Sequence, residues 1–202
     1  VLAGEPVEAV AADHLVRIFH CEVLVAEHVQ RRKPDTDQRQ VRLRQGSRGI
    51  RVLACALGTG TDRPLHAWDR SVSRWTAQQA YEQAGLGPED IAVAEVHDAS
   101  AFGELLQTEM LGFCEIGAGG KLAETGETTL GGRLPVNPSG GLESKGHPMG
   151  ASGLAQIYEL VHQLRGDCGP RQVHGARVAL AENGGGLYAG EEAVAAVTIL
   201  SS

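Results

Sequence analysis

His147 stands between Gly146 and Pro148, immediately ahead of Gly150-Ala151-Ser152-Gly153, a segment that reads as the first turn of a helix. Such a turn leaves backbone N–H groups without intrahelical partners and carries a partial positive charge. An imidazole fixed there suits chemistry in which negative charge develops on an oxygen. On residue type alone, a histidine that merely builds the turn is the competing reading. A second histidine lies in Val96-His97-Asp98-Ala99-Ser100, where a predicted strand gives way to a predicted helix. Strand ends of this kind are where α/β folds expose reactive side chains. There the competing reading is a cap partner.

The hydrophobic pattern supplies elements to position both histidines. Residues 52–57 form an apolar run ending in Gly58-Thr59-Gly60 and predict a strand. Residues 71–84 place Ala77, Ala80, Tyr81 and Ala84 at helical spacing, and Gly85-Leu86-Gly87-Pro88 is a stop signal. Residues 91–96 predict the next strand. Ser100 can cap a second helix whose Phe102, Leu105, Leu106, Met110 and Phe113 make one apolar stripe, with Gly112 as its stop. Residues 117–146 are glycine-rich and too long for an ordinary connection, which predicts a functional loop or a flap. A third helix over 151–165 presents Leu154, Ile157, Tyr158, Val161 and Leu164 on one side and closes at Gly166. Residues 177–182 and 193–200 predict two strands around Asn183-Gly184-Gly185-Gly186. The order β-α-β-α-loop-α-β-β describes a layered α/β domain with a mixed sheet. Residues 22–50 do not fit it: Gln30-Arg31-Arg32-Lys33 and Gln38-Arg39-Gln40 interrupt any core pattern and read as a solvated basic loop or arm.

Composition narrows the function classes. The 202 residues, 42% of them hydrophobic, suffice for one good-sized core. A formal net charge of -7 argues against nucleic acid as the main partner, because phosphate binding needs a clustered excess of Lys and Arg. Cys21, Cys55, Cys114 and Cys168 form no CxxC pair, so neither a zinc site nor a disulfide framework is predicted, and a reducing cytoplasm fits. No stretch approaches the ~18 apolar residues of a membrane span, and no basic segment leads into an apolar run at the N-terminus. A dinucleotide site is not predicted, since no Gly-x-Gly-x-x-Gly follows a strand with an acidic residue about 20 positions on.

The block Asn137-Pro138-Ser139-Gly140-Gly141-Leu142-Glu143-Ser144-Lys145-Gly146-His147-Pro148-Met149-Gly150-Ala151-Ser152-Gly153 resembles the Asn-Pro-Ser-Gly-Gly…Gly-His-Pro-x-Gly-x-x-Gly signature of the thiolases, in their lipid-transfer or sterol-carrier branch. The resemblance runs over about residues 51–200. It implies a thiolase-like C-terminal domain at 51–202, with 1–21 as a remnant of the N-terminal half or a linker. In that superfamily the histidine matching His147 helps activate the nucleophile and holds a thioester oxygen. His97 and Asp98 resemble the His-Asp-Cys-Phe loop, whose histidine contributes to an oxyanion hole, but Ala99 replaces its cysteine. Residues 181–186 resemble the final Cys-x-Gly-Gly-Gly motif, whose cysteine acts as acid and base, and Glu182 stands at its position. Neither Cys114 nor Cys168 lies in a matching context. The resemblance therefore assigns His147, His97, Tyr158 and Glu182 to catalysis, the last two as proton carriers. It assigns Asp98, Asn137, Ser139, Gly146, Gly150, Asn183 and Gly185 to substrate binding. Tyr188 is a further phenol near the triple glycine. Relatives often carry a tyrosine where this chain has Thr108.

The activity so implied is that of an acyl-CoA enzyme, acetyl-CoA acetyltransferase-like, acting on carbon–carbon bonds in the degradation of sterol side chains or branched fatty acyl-CoA. Coenzyme A enters as a substrate moiety, with no bound cofactor. The superfamily's nucleophilic cysteine belongs to the N-terminal half, which 202 residues cannot also hold. The alternatives are a retro-aldol lyase on the β-hydroxyacyl-CoA of a steroid side chain, which commonly works with a small zinc-ribbon and OB-fold partner, and a non-catalytic binding fragment. Relatives are usually dimers. Leu15-Val16-Arg17-Ile18-Phe19-His20-Cys21 resembles the stretch that in relatives enters an Asp-Gly-Ala-Ala-Ala strand. Here residues 22–50 follow instead, which predicts a segment translated out of frame and too polar to order itself.

Overall fold

The computed structural model describes residues 49–60 and 62–202, together with the backbone of three N-terminal strands: β1 (Val7–Ala12), β2 (Leu15–His20) and β3 (Val23–Val29). These three pair antiparallel in the order β1-β2-β3. The expectation of an unordered segment at 22–50 falls largely on residues 30–48, outside the described residues; within it, β3 is paired to β2. The readings of 1–21 as a remnant and of 22–50 as out of frame concern origin, which pairing does not address.

The principal sheet contains β4 (Arg51–Thr59), β5 (Val93–Glu95), β6 (Val178–Tyr188) and β7 (Glu191–Ser201), in the order β4-β7-β6-β5. β7 pairs antiparallel with both β4 and β6, whereas β5 runs parallel to β6. A single parallel bridge from Ala94 to Val136 extends the sheet beyond β5. Among the described residues five α-helices complete the domain: α1 (Val72–Ala84), α2 (Ala101–Met110), α3 (Gly119–Glu124), α4 (Gly141–Lys145) and α5 (Ser152–Arg165). This is the mixed-sheet α/β architecture that the sequence predicts.

Alternation along the strands divides the core between the two faces of the sheet. Ala94, Leu180, Val197 and Ile199 pack with Ala77, Ala80 and Tyr81 of α1. Val93, Ala179, Ala181 and Leu200 point the other way, onto Leu160, Val161 and Leu164 of α5. A sheet covered on both faces needs apolar residues at consecutive positions, which is why these strands read as unbroken apolar runs. At the start of α1, Ser71 accepts a hydrogen bond from the Arg74 N–H at 3.3 Å. Ser71→Ala is expected to destabilise the domain by about 1 kcal/mol in denaturant unfolding.

Four sequence expectations are corrected. Asn183 through Gly186 is not a loop between two strands: β6 continues through it, with Asn183, Gly184 and Gly185 opposite Ala196, Ala195 and Val194, and the chain reverses at Ala189 and Gly190. Glycine lacks a side chain to pack, yet its backbone completes the ladder, so pairing with β7 overrides its poor strand propensity. The stripe assigned to α2 is buried at its C-terminal end, at Met110 and Phe113, but Phe102 is 67% exposed and the polar Gln107 and Thr108 are buried instead. On α5 the buried face likewise rotates away from Leu154, which is 44% exposed, toward Gln156, Glu159 and Gln163. Those polar side chains are buried because they have partners: Gln156 donates to the Glu182 carbonyl, Glu159 binds Arg171, and Gln163 donates to the Arg171 carbonyl. The stretch 117–146 is built rather than open, holding α3, α4 and the bridge at Val136.

Candidate active site

The C-terminal end of β5, the middle of β6 beside it and the N-terminus of α5 come together. His97 follows β5, and its backbone N–H donates to Glu182 Oε2 on β6 at 3.0 Å. Its ring places Nδ1 3.5 Å from Asn183 Oδ1. His147 precedes α5, with Nδ1 2.6 Å from the Ser152 hydroxyl. The two imidazoles meet edge to face, with ring centres 5.0 Å apart and planes at 88°.

Ser152 orients the ring of His147 and bears on its tautomer. The Ser152 hydroxyl donates to the Pro148 carbonyl at 3.2 Å, and a carbonyl only accepts. With the hydroxyl hydrogen directed so, its oxygen accepts from His147 Nδ1–H, and Nε2 carries the lone pair in the neutral ring. Such a ring can take a proton at Nε2 and then offer it as a hydrogen bond to an oxygen. Ser152 was not singled out in the sequence; its signal is a hydroxyl five residues beyond the histidine, at the start of the helix.

The segment from Asn137 to Gly146 is braced from beneath. Asn137, in the left-handed region at φ 51, accepts from the Val96 N–H through Oδ1 and donates to Glu104 through Nδ2, at 2.8 and 2.9 Å. Buried Asp98 accepts the Leu142 N–H at 2.6 Å, and burial pushes its carboxyl above the usual range. Fully buried Glu95 accepts from the backbone and hydroxyl of Ser139 at 3.0 and 2.6 Å, and Lys145 donates to both Ser139 Oγ and Glu95, at 2.5 and 3.3 Å. Burial is the largest influence on Glu95 too and raises its pKa against the opposing pull of Lys145. Asp98, Asn137 and Ser139 thus hold the loop through these hydrogen bonds. Glu95 escaped notice because it belongs to no motif, and Lys145 because it falls at an unspecified position of the signature block.

Gly146, at φ 93, ends α4 and sets the direction of the chain into His147, while Gly150 lies exposed just after it. Gly153 faces Asn183 closely enough that a Cβ there would lie 3.3 Å from its amide carbon. Gly185 is exposed on β6, next to the buried Gly184. Glu182 is wholly buried, and its carboxyl is pushed well above the ordinary value of 4.5, first by burial and then by the nearby Glu192. Tyr158 lies further along α5, its ring 4.3 Å from that of His162. Tyr188 is half-exposed at the β6–β7 turn and donates to Asp62 at 3.0 Å. Thr108 is buried and donates to the Leu105 carbonyl. The structure thus gathers His97, His147, Asn183 and Ser152 at one place, with Glu182 directly behind them.

Among the described residues no group of three or more His, Cys, Asp or Glu side chains could hold a metal ion, and no helix is long and apolar enough to cross a membrane. Residues 65–201 match the family model described as "Thiolase C-terminal domain-like". The chain is 50% identical over 145 residues to Sterol carrier protein 2 of Rattus norvegicus, an alignment covering 68% of this chain and 26% of that protein. It is 50% identical over 142 residues to an acetyl-CoA acetyltransferase of Methanothermobacter thermautotrophicus, covering 68% of this chain and 37% of the other. Among solved structures, an Ltp2-ChsH2(DUF35) aldolase superposes with a TM-score of 0.63 at 28% identity, covering 76% of this chain and 39% of that one. The chain therefore spans between a quarter and two fifths of the length of these relatives. With the signature block placed at the N-terminus of α5 and the family match running through β7, the chain belongs to the thiolase superfamily, as a C-terminal domain.

Proposed function

We propose that this chain is the oxyanion-binding half of a thiolase-type acyl-CoA enzyme acting on carbon–carbon bonds in the breakdown of sterol side chains or branched fatty acyl-CoA. The observation that carries this reading is the perpendicular His97–His147 pair at the N-terminus of α5. Two imidazoles set 5.0 Å apart can direct N–H groups at one thioester oxygen once His147 Nε2 has taken a proton, and the helix terminus adds its partial positive charge. Ser152 orients His147, and Asn183 lies against His97. Coenzyme A enters with the substrate, and no bound cofactor is required. Glu182 is assigned the proton exchanged with the carbon next to the thioester. A nucleophilic cysteine, where one is used, comes from the N-terminal half of the fold. Tyr158 belongs to this reading only as an outlying proton carrier, because its observed ring neighbour is His162.

A second reading, retro-aldol cleavage of a β-hydroxyacyl-CoA, is supported by the absence of a cysteine from the pair's surroundings among the described residues. Cys55 is on β4 and Cys114 follows α2. Cys168 lies buried against Glu159, its thiol pushed up to about 12 by burial and by that carboxylate. Its likeness to a solved aldolase points the same way. On that reading a second protein, of zinc-ribbon and OB-fold type, would complete the site, and a homodimer is the proposed assembly in either case. The two reactions separate in one assay. A 3-ketoacyl-CoA given free CoA should yield two acyl-CoA products by thiolysis, whereas a tertiary β-hydroxyacyl-CoA should yield a ketone and one acyl-CoA without added CoA. Neither product, with binding of the thioester retained, would make the protein a binding fragment in a cytoplasmic lipid pathway.

A further inference from the structure

Glu182 has one oxygen accounted for and one not. Oε2 accepts the His97 N–H, while Oε1 is buried without a hydrogen-bond partner. An ionised carboxylate left so in the interior is costly, and a proton on that oxygen removes both the charge and the orphan acceptor, provided an acceptor faces it. Such an acceptor comes from β7. The Glu192 side chain reaches across the backbone of β6 at Gly184, where a Cβ would collide with Glu192 Oε1. Its other oxygen, Oε2, is held at 2.8 Å by the Ser73 hydroxyl of α1. Gly184 is thus a notch through which a partly buried carboxylate approaches a wholly buried one.

Resting on the proposed role of Glu182 as a proton carrier, we propose that Glu192 is its positioning residue, the two carboxyl groups holding one proton between Glu182 Oε1 and Glu192. The pair carries a single negative charge, and the proton moves between its oxygens with no other bond made or broken. Glu192 is the less buried member and connects the buried acid to the outside. The other groups packed on Glu182 leave this pairing in place. From the end of β5, His97 offers its backbone N–H to Oε2; from α5, Gln156 donates to the Glu182 carbonyl; from α1, Ser73 binds Glu192. Like charges brought together cannot both ionise freely, and one member of such a pair keeps its proton well above the ordinary carboxylate range.

The test is an infrared titration of the whole chain, following the carbonyl stretch of protonated carboxylic acid, and it requires no turnover. A neutral acid is expected to persist at neutral pH and to vanish in Glu182→Gln. Glu192→Gln should weaken proton binding at Glu182 at least about tenfold, because a like charge is removed. Ser73→Ala should act in the opposite direction, holding the proton to higher pH, because Glu192 loses the donor that favours its ionised form. A structural role alone does not produce opposite signs from two neighbours of one acid. The proposal is overturned if no neutral acid is present, if it survives Glu182→Gln, or if its titration ignores both Glu192→Gln and Ser73→Ala. A shared proton in a protein without turnover would overturn the catalytic reading and leave the pairing intact.

Discussion

Replacing His147 with alanine is expected to lower turnover of the thioester substrate about 10²- to 10³-fold, the usual cost of removing one preorganised donor to a developing oxyanion. The expectation follows from how the ring is held. Ser152 accepts a hydrogen bond from Nδ1–H and donates its own to the Pro148 carbonyl, which leaves Nε2 as the ring's working nitrogen. Ser152→Ala should cost less, since the ring remains but loses its orientation. His147 is exposed, so its removal should change unfolding free energy by no more than about 0.5 kcal/mol. Steady-state kcat measured beside denaturant unfolding separates the readings: a turn-building histidine would lose stability and keep its rate.

Gly141→Ala is expected to destabilise the domain by about 3–4 kcal/mol, more than a loop substitution ordinarily does. Two costs combine. Gly141 sits at φ 60, in the left-handed region that costs a residue with a Cβ about 1–2 kcal/mol. The new methyl would also occupy the space of the Asp98 carboxylate. That carboxylate is buried and accepts the Leu142 N–H, and a hydrogen bond to a charged group contributes about 1.5–3 kcal/mol. Coupling identifies the mechanism: in an Asp98→Ala background the collision disappears, and Gly141→Ala should then cost only the backbone term. Equal costs in both backgrounds would show that Asp98 does not brace the loop.

Much of this framework was legible because its signals are local. Ser100 accepts a backbone N–H at the start of α2, as its position ahead of the periodic segment suggested, and Ser71 does the same for α1. The strand at 52–57 and the helix ending before Gly85 are marked by turn residues on the chain itself. What escaped the sequence depends on partners distant along it. The buried face of α5 carries Gln156, Glu159 and Gln163 because the Glu182 carbonyl and Arg171 lie opposite, and no periodicity analysis counts a satisfied amide as core. The triple glycine becomes strand because β7 pairs with it. Of the site, the two histidines could be read from their motifs. Their meeting could not, because it requires the end of β5 to lie beside the start of α5. The roles of Asp98 and Ser139 as internal braces follow from the same folding of the loop over Glu95.

The central claim is that His97 and His147 together receive a thioester oxygen. The most direct measurement follows the imidazole resonances of both histidines by NMR during titration with acetoacetyl-CoA, with free CoA as the control. Both rings are expected to shift together with the acyl thioester and to stay in place with CoA alone, and His147→Ala should weaken the response at His97. If acetoacetyl-CoA is turned over while both imidazoles remain unperturbed, the pair is a structural contact and the oxyanion site lies elsewhere.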